Sequence, residues 1–378
     1  MSKVEKLVNT YNPKGVVFDQ IGHNVISLPK EILKNNYIQK DGDYPVINSG
    51  RDIQGFYNKY NNDGDAFTVA SRGESAGFIQ YSDIKFWAGG LCYPYRAINN
   101  NTVITKYLYY YLKKIEKSIM TNMVMRGGIP AINKKDFEKL IIPLPHIKVQ
   151  EEIVKILDSF TNLIDALNEE LSLRQKQFEY YREKLLTFDE SNYVKISSIC
   201  KRIVSGGTPK TTIDRYYQGN IPWLRTEEVD FCYVYETKKH ISEEAIANSS
   251  TKMIPVNCVI IAMYGATAAK CCINKIPLCT NQACCNLEID DTLALYKFVF
   301  FNICKEYEKL KSLGEGSQNN ISGQKIKDYR IPIPSLAIQQ SIVEKLDAFE
   351  SLISSLKEEI ALRQKQYEYY REKLLTFD

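Results

Sequence analysis

The sequence predicts an α+β protein of two pseudo-symmetric halves. Each half is a small sheet-containing domain followed by a long helix, and the two helices pair as an intramolecular coiled coil. Three observations predict this: an internal repeat at half the chain length, an unbroken apolar heptad in the tail of each half, and short β-type runs between turn residues elsewhere. The boundaries that follow are a first domain over 1–145, a central helix over 146–189, a second domain over 190–334 and a C-terminal helix over 335–378.

The repeat is strongest in the tails. Ser172 to Asp189 and Ala361 to Asp378 are identical at 16 of 18 positions, at an offset of 189 in a chain of 378 residues. At the same offset LIIPLP (Leu140 to Pro145) aligns with YRIPIP (Tyr329 to Pro334), and Gln150 with Gln339. Further upstream the match loosens: Pro45 faces Pro222, Ala70 and Gly73 face Ala262 and Gly265, and Lys106-Tyr107-Leu108-Tyr109 faces Lys297-Phe298-Val299-Phe300.

Each tail reads as a long helix. Ile153, Leu157, Phe160, Ile164, Leu167, Leu171, Arg174, Phe178, Tyr181 and Leu185 alternate spacings of four and three, which is a coiled-coil seam. The second tail repeats it from Ile342 to Leu374. Pro145 and Pro334 stand just upstream, where a helix can begin but not extend backwards. From Gln150 to Leu186 is 37 residues, a helix of roughly 55 Å. A seam of that length needs a partner, and two matched seams in one chain most simply pair with each other. Arg174 and Arg363 are expected to set register as buried polar groups on the seam.

The globular parts read as strands and turns. Ala66 to Val69, Gly77 to Gln80, Val256 to Met263 and Lys270 to Ile276 are β-type, whereas Thr105 to Lys117 and Leu295 to Lys311 are helical. The composition, 44% hydrophobic and 25% charged, is that of an ordinary soluble protein. No apolar run reaches membrane-span length and no apolar leader is present, so the expected compartment is the cytoplasm, with the ten cysteines reduced. The net charge is +4, yet the segments 146–189 and 335–378 carry −3 and −2, which leaves +9 on the two domains. That distribution permits a polyanionic partner.

Catalytic signatures are missing. There is no GxxxxGK[ST] loop, HExxH or CxxC, and His23, His146 and His240 stand far apart in the chain. The Asn/Asp-Pro-Pro-Tyr motif of amino-methyltransferases is missing too. Cys271, Cys272, Cys279, Cys284 and Cys285 lie in apolar β-type sequence, where cysteine packs as a small hydrophobe. The chain therefore reads as a binding subunit with no catalytic, cofactor or metal site of its own.

Short motifs recur in order across the halves. The second half carries Ser205-Gly206-Gly207-Thr208-Pro209, Ile221-Pro222-Trp223-Leu224-Arg225, Thr280-Asn281-Gln282 and Gly316-Ser317-Gln318. In the first, Tyr44-Pro45-Val46-Ile47-Asn48-Ser49-Gly50 and Ser71-Arg72-Gly73 through Gly77 take the corresponding parts, with Gly90 and Leu91 where the Asn-Gln step belongs. Joined to the matched helices, this order resembles the specificity subunits of type I restriction-modification systems (the HsdS family), over the whole chain. The resemblance implies two target-recognition domains, each reading one half of a bipartite double-stranded DNA site. It also implies an antiparallel coiled coil that spaces the half-sites by about one duplex turn or slightly more and docks two methyltransferase subunits. S-adenosylmethionine on those subunits, and ATP with magnesium on a restriction-translocase subunit, are implied for the complex. The competing reading is a coiled-coil protein-interaction scaffold without sequence-specific DNA binding. Glu5-Lys6-Leu7 echoes Glu183-Lys184-Leu185, so the N-terminus is expected to cap the far end of the coil.

Phosphates are held by Lys, Arg and amides, and bases by side chains with paired donors and acceptors. On that basis the expected DNA contacts are Asn48, Arg51, Arg72, Lys85 and Arg126 in the first domain. In the second they are Lys210, Arg225, Tyr264, Lys270, Asn281 and Gln318.

Overall fold

The computed structural model describes residues 3–189, 192–316 and 320–377. The chain forms two compact units, Met1–Glu169 with Glu358–Asp378, and Glu170–Lys357. Each long helix thus contributes one end to each unit.

In the first unit an antiparallel sheet runs Val25–Ser27, Cys92–Ala97, Ala66–Ala70, Ile79–Ser82. A smaller sheet runs Gly55–Tyr57, Tyr44–Ile47, Trp87–Ala88, its last pair parallel. Helix Thr105–Asn122 buries Tyr107, Leu108, Tyr110 and Leu112 among Phe67, Val69 and Tyr95. A short ribbon, Val17–Gln20 against Ile141–Leu144, closes the domain before the central helix Ile147–Leu185 begins.

The second unit repeats the plan with additions. Its main sheet runs Cys200–Ser205, Cys284–Ile289, Val259–Ala262, Cys271–Asn274, Cys232–Val234. The smaller sheet runs His240–Ile241, Ile221–Leu224, Leu278–Thr280, Met253–Ile254. Tyr193–Lys195 pairs with Arg330–Pro332 as the closing ribbon before the C-terminal helix Leu336–Leu374. The helix expected over Leu295 to Lys311 is two, Tyr296–Lys305 and Tyr307–Ser312. The break at Glu306 lets its buried carboxylate accept from Tyr329 Oη at 2.8 Å and pair with Lys309 at 2.9 Å. The five clustered cysteines are all buried within or beside strands. Burial pushes the Cys279 thiol up to about 11 and Cys285 to about 12.

The heptad seam is built antiparallel inside each unit. In the first, Phe160 stacks on Tyr370 with centroids 5.3 Å apart, and Ile164 lies beside Tyr367. In the second, Tyr181 stacks on Phe349 at 5.4 Å, the same pair with the roles of the helices exchanged. Two equivalent anchors tie helix to domain. Gln150, fully buried, accepts from Ile104 N at 2.9 Å and donates to Thr102 O at 3.0 Å and Pro145 O at 2.8 Å. Gln339 does the same with Leu295 N, Leu293 O and Pro334 O. Equivalent lysines grip the helix ends. Lys114 Nζ donates to Leu375 O at 3.0 Å, and Lys305 Nζ to Leu186 O at 3.0 Å.

Arg174 and Arg363 do not act as buried register pins. Each is half-exposed and bonds along its own helix, Arg174 to Glu170 and Gln177, Arg363 to Glu359 and Gln366. A guanidinium on a long stem reaches water from the seam more cheaply than it can be desolvated inside it. The N-terminal helix Lys3–Tyr11 does lie at the end of the coil in its unit. It is held by a Lys3–Glu152 ion pair of 2.6 Å and by Tyr11 stacked on His146 at 4.5 Å. Between this helix and Lys373–Phe377 lies a cavity of about 420 Å³.

Candidate nucleic-acid interface

Four loops of the first unit are linked by backbone hydrogen bonds into one surface. The loop after Tyr44–Ile47 is tied to the next strand's exit where Gly89 N donates to Ile47 O at 2.7 Å. Ser71 N donates to Leu91 O at 2.9 Å, and Ile132 N to Ser71 O at 3.0 Å. Ile132 ends the hairpin Val124–Met125 with Ala131–Ile132, whose tip holds Arg126, Gly127 and Gly128. Gly73 turns in the left-handed region (φ +94°), where a side chain would strain the backbone.

This surface gathers four of the five expected residues of the first domain. Asn48 is half-buried and structural. Its Oδ1 accepts from Leu91 N at 2.9 Å, and its Nδ2 donates to Gln54 at 3.2 Å. Arg51 lies over the Phe78 ring at 5.8 Å. Arg72 is exposed and bridges to Ala131, and Arg126 is exposed on the hairpin tip. Lys85 is not with them. It stands beside Tyr60 at the opposite end of the smaller sheet, its Nζ donating to the Tyr60 hydroxyl at 2.8 Å, a bond that raises the ammonium's pKa.

The second unit uses equivalent loops. Asn281 N donates to Leu224 O at 3.0 Å, Thr267 Oγ1 to Thr226 O at 2.9 Å, and Ile321 N to Met263 O at 2.8 Å. Tyr264 occupies the position of Arg72, ahead of Gly265 at φ +80°. Arg225 and Lys270 are paired, to Glu227 at 3.2 Å and to Asp230 at 2.5 Å. Both cations are half-buried and both carboxylates exposed, and pairs open to solvent on one side contribute on the order of 1 kcal/mol, so a phosphate can compete for either cation. Asn281 Oδ1 accepts from Cys284 Sγ at 3.2 Å, while Lys210 is exposed on the loop after Pro209. Gln318 lies outside the described residues.

The hydrogen-bond frame corrects one alignment. Gly89 and Gly90, rather than Gly90 and Leu91, stand opposite Asn281 and Gln282, because Gly89 N and Asn281 N make the same bond to the preceding parallel strand. It also explains the double glycine of the second half. A Cβ on Gly206 would lie 2.2 Å from Thr280 O, and one on Gly207 2.4 Å from Thr251 N. Sequence reasoning missed Lys30 and Lys113. Lys30 Nζ donates to Gly90 O at 3.0 Å over the Tyr93 ring, and burial lowers its pKa. Lys113 sits over Phe78 at 4.4 Å. No motif marks either: Lys30 is held by the Gly90 carbonyl and Lys113 by Glu116 at 2.7 Å.

Among the described residues no cluster of three or more His, Cys, Asp or Glu is arranged to hold a metal ion, and no helix is long and apolar enough to cross a membrane. What the surface offers is cations, amides and glycine turns that let backbone approach a ligand closely.

Comparison with known proteins gives the family and the fold. The family model described as the type I restriction modification DNA specificity domain matches twice, over residues 25–173 and 189–362. The chain is 31% identical to the Escherichia coli type I restriction enzyme EcoR124I/EcoR124II specificity subunit, covering 100% of this chain and 97% of that one. It is 29% identical to a putative type I restriction enzyme specificity subunit of Haemophilus influenzae, covering 99% and 98%. The fold is similar to the crystal structure of the type I restriction-modification S subunit from M. genitalium, at a TM-score of 0.69 and 17% identity over 96% of each chain. With the family domain in both halves and specificity-subunit relatives along its whole length, the chain belongs to the type I restriction-modification specificity subunits, the non-catalytic, DNA-sequence-determining members of those systems.

Proposed function

We propose that each globular domain, 1–145 and 190–334, reads one half of a bipartite duplex site. The helices of 146–189 and 335–378 then set the gap between half-sites and carry two methyltransferase subunits. In this reading the partners bring S-adenosylmethionine for methylation, and ATP with magnesium for restriction and translocation, and the complex works in the cytoplasm. One observation carries the proposal: two units share a scaffold and a hydrogen-bond frame, yet present different side chains from equivalent loops. Arg72 and Arg126 in the first unit, and Lys210, Arg225 and Lys270 in the second, suit phosphates, whereas Tyr264, Asn281 and Gln318 suit base edges. Arg51 reaches the same surface. Asn48 supports a loop, and Lys85 belongs to a separate face.

The test is to co-express the chain with its methyltransferase and sequence the modified genome. A motif of two short specified halves around an unspecified gap is the expected result. A contiguous motif, or none, overturns the reading. Removing one heptad from both helices should change the gap the complex accepts, and an unchanged gap removes the spacer role.

A further inference from the structure

The recognition loops of the two units can be matched position by position. Glu31 N donates to Ala88 O at 3.0 Å, and Gly207 N to Thr280 O at 2.9 Å. Glu31 O and Gly207 O each also accept an indole N–H at 3.1 Å, from Trp87 and Trp223, although these tryptophans stand on opposite strands of the two parallel pairs. Ile32 is therefore the counterpart of Thr208, Gly90 of Gln282 and Leu91 of Ala283. The repeat offset of 189 places Ile129 opposite Gln318.

At two of these positions an apolar residue stands where the other half has a polar one, Ile32 for Thr208 and Ile129 for Gln318, and Gly90 replaces Gln282. In the second unit the Thr208 hydroxyl donates to the Gln282 side chain, and Ala283 is buried. In the first unit Ile32 leans over Gly90, where an added Cβ would lie 2.6 Å from Ile32 Cγ1. Ile32 is 81% exposed, Ile129 70% and Leu91 43%. Single exposed apolar side chains are ordinary. Three on loops joined by backbone hydrogen bonds, which also carry the exposed Arg72 and Arg126, put apolar side chains beside cations suited to phosphate. On the base edges of a duplex the one apolar feature is the 5-methyl group of thymine in the major groove.

We propose that the first unit recognises thymine through its 5-methyl group, using Ile32, Leu91 and Ile129, whereas the second reads its half-site through hydrogen bonds. This rests on the reading of these loops as the DNA-contacting surface. The test uses the full chain with its methyltransferase subunits and duplexes carrying the motif found in vivo. The half-site of each unit is assigned by photo-cross-linking and peptide mapping. Replacing deoxythymidine by deoxyuridine removes only the methyl group. In the first half-site it should weaken binding roughly four-fold per methyl in contact, and in the second it should change nothing. Ile129→Gln and Ile32→Thr alter exposed side chains and should erase the thymine-over-uracil preference while the second half-site is still read. Equal binding of thymine and uracil duplexes, or a first half-site with no thymine on either strand, overturns the inference while leaving sequence recognition intact. A complex that binds all sequences alike removes the DNA reading itself, and this inference with it.

Discussion

Replacing Gln339 by leucine isolates what holds a long helix to its domain. The two side chains are similar in volume, so packing is nearly preserved, but three hydrogen bonds disappear. Leu295 N loses its acceptor at 2.9 Å, and Pro334 O and Leu293 O lose donors at 2.8 and 3.2 Å. A buried polar group left unpaired costs about 1–3 kcal/mol. Leu293 is exposed, so its carbonyl can find water, and the cost rests on the other two groups. The expected loss is therefore about 2–6 kcal/mol, a fall of roughly 4–24 °C in the transition of the second unit by calorimetry. Gln150→Leu should do the same to the first unit through Ile104, Thr102 and Pro145. The two glutamines share no partner, so their effects should add. Gln340→Leu, exposed and bonded along its own helix to Glu344, is the control and should change stability by less than about 0.5 kcal/mol. If Gln339→Leu matches that control, the anchor is not what ties the helix to the domain.

Three further outcomes are expected. Lys305→Met removes an ammonium whose side chain is 6% exposed and which caps Leu186 O and Thr187; about 1–3 kcal/mol should be lost, with faster amide exchange over the last turn of the central helix, and unchanged exchange would refute the cap. Burial raises Cys258 and Cys285 to about 12 from an ordinary 9.0. At pH 8 their thiolate fraction is then about a thousandth of a free cysteine's, so iodoacetamide should label them only after denaturation, and rapid native labelling would contradict the packing. Arg72→Ala and Arg126→Ala, exposed and outside the core, should leave stability within about 0.5 kcal/mol and lower the slope of log binding against log salt by about 1 each; an unchanged slope would place these arginines away from phosphate.

The internal repeat, the helical seams and the division into two α+β halves were legible in the sequence, because period and duplication are local patterns that survive without knowledge of the fold. Helix ends came within a few residues, since Pro145 and Pro334 limit where a helix can start. Individual contacts were less legible. Lys85 looked like the other basic loop residues, yet the parallel pairing of Tyr44–Ile47 with Trp87–Ala88 carries it to the far end of that sheet from Asn48. Asn48 looked like a base reader, yet its amide is spent on Leu91 and Gln54, partners distant or unmarked in the chain. Arg174 and Arg363 satisfied the heptad but bond along their own helices, because solvation of a guanidinium outweighs the seam's periodicity. The exchange of Thr208 and Gln282 for Ile32 and Gly90 was invisible until backbone hydrogen bonds matched loops of unequal length. The sequence by itself determined that there are two alike helices and two unlike domains. Only the tertiary structure decided which loop residues share a surface, since that depends on sheet register and long-range hydrogen bonds.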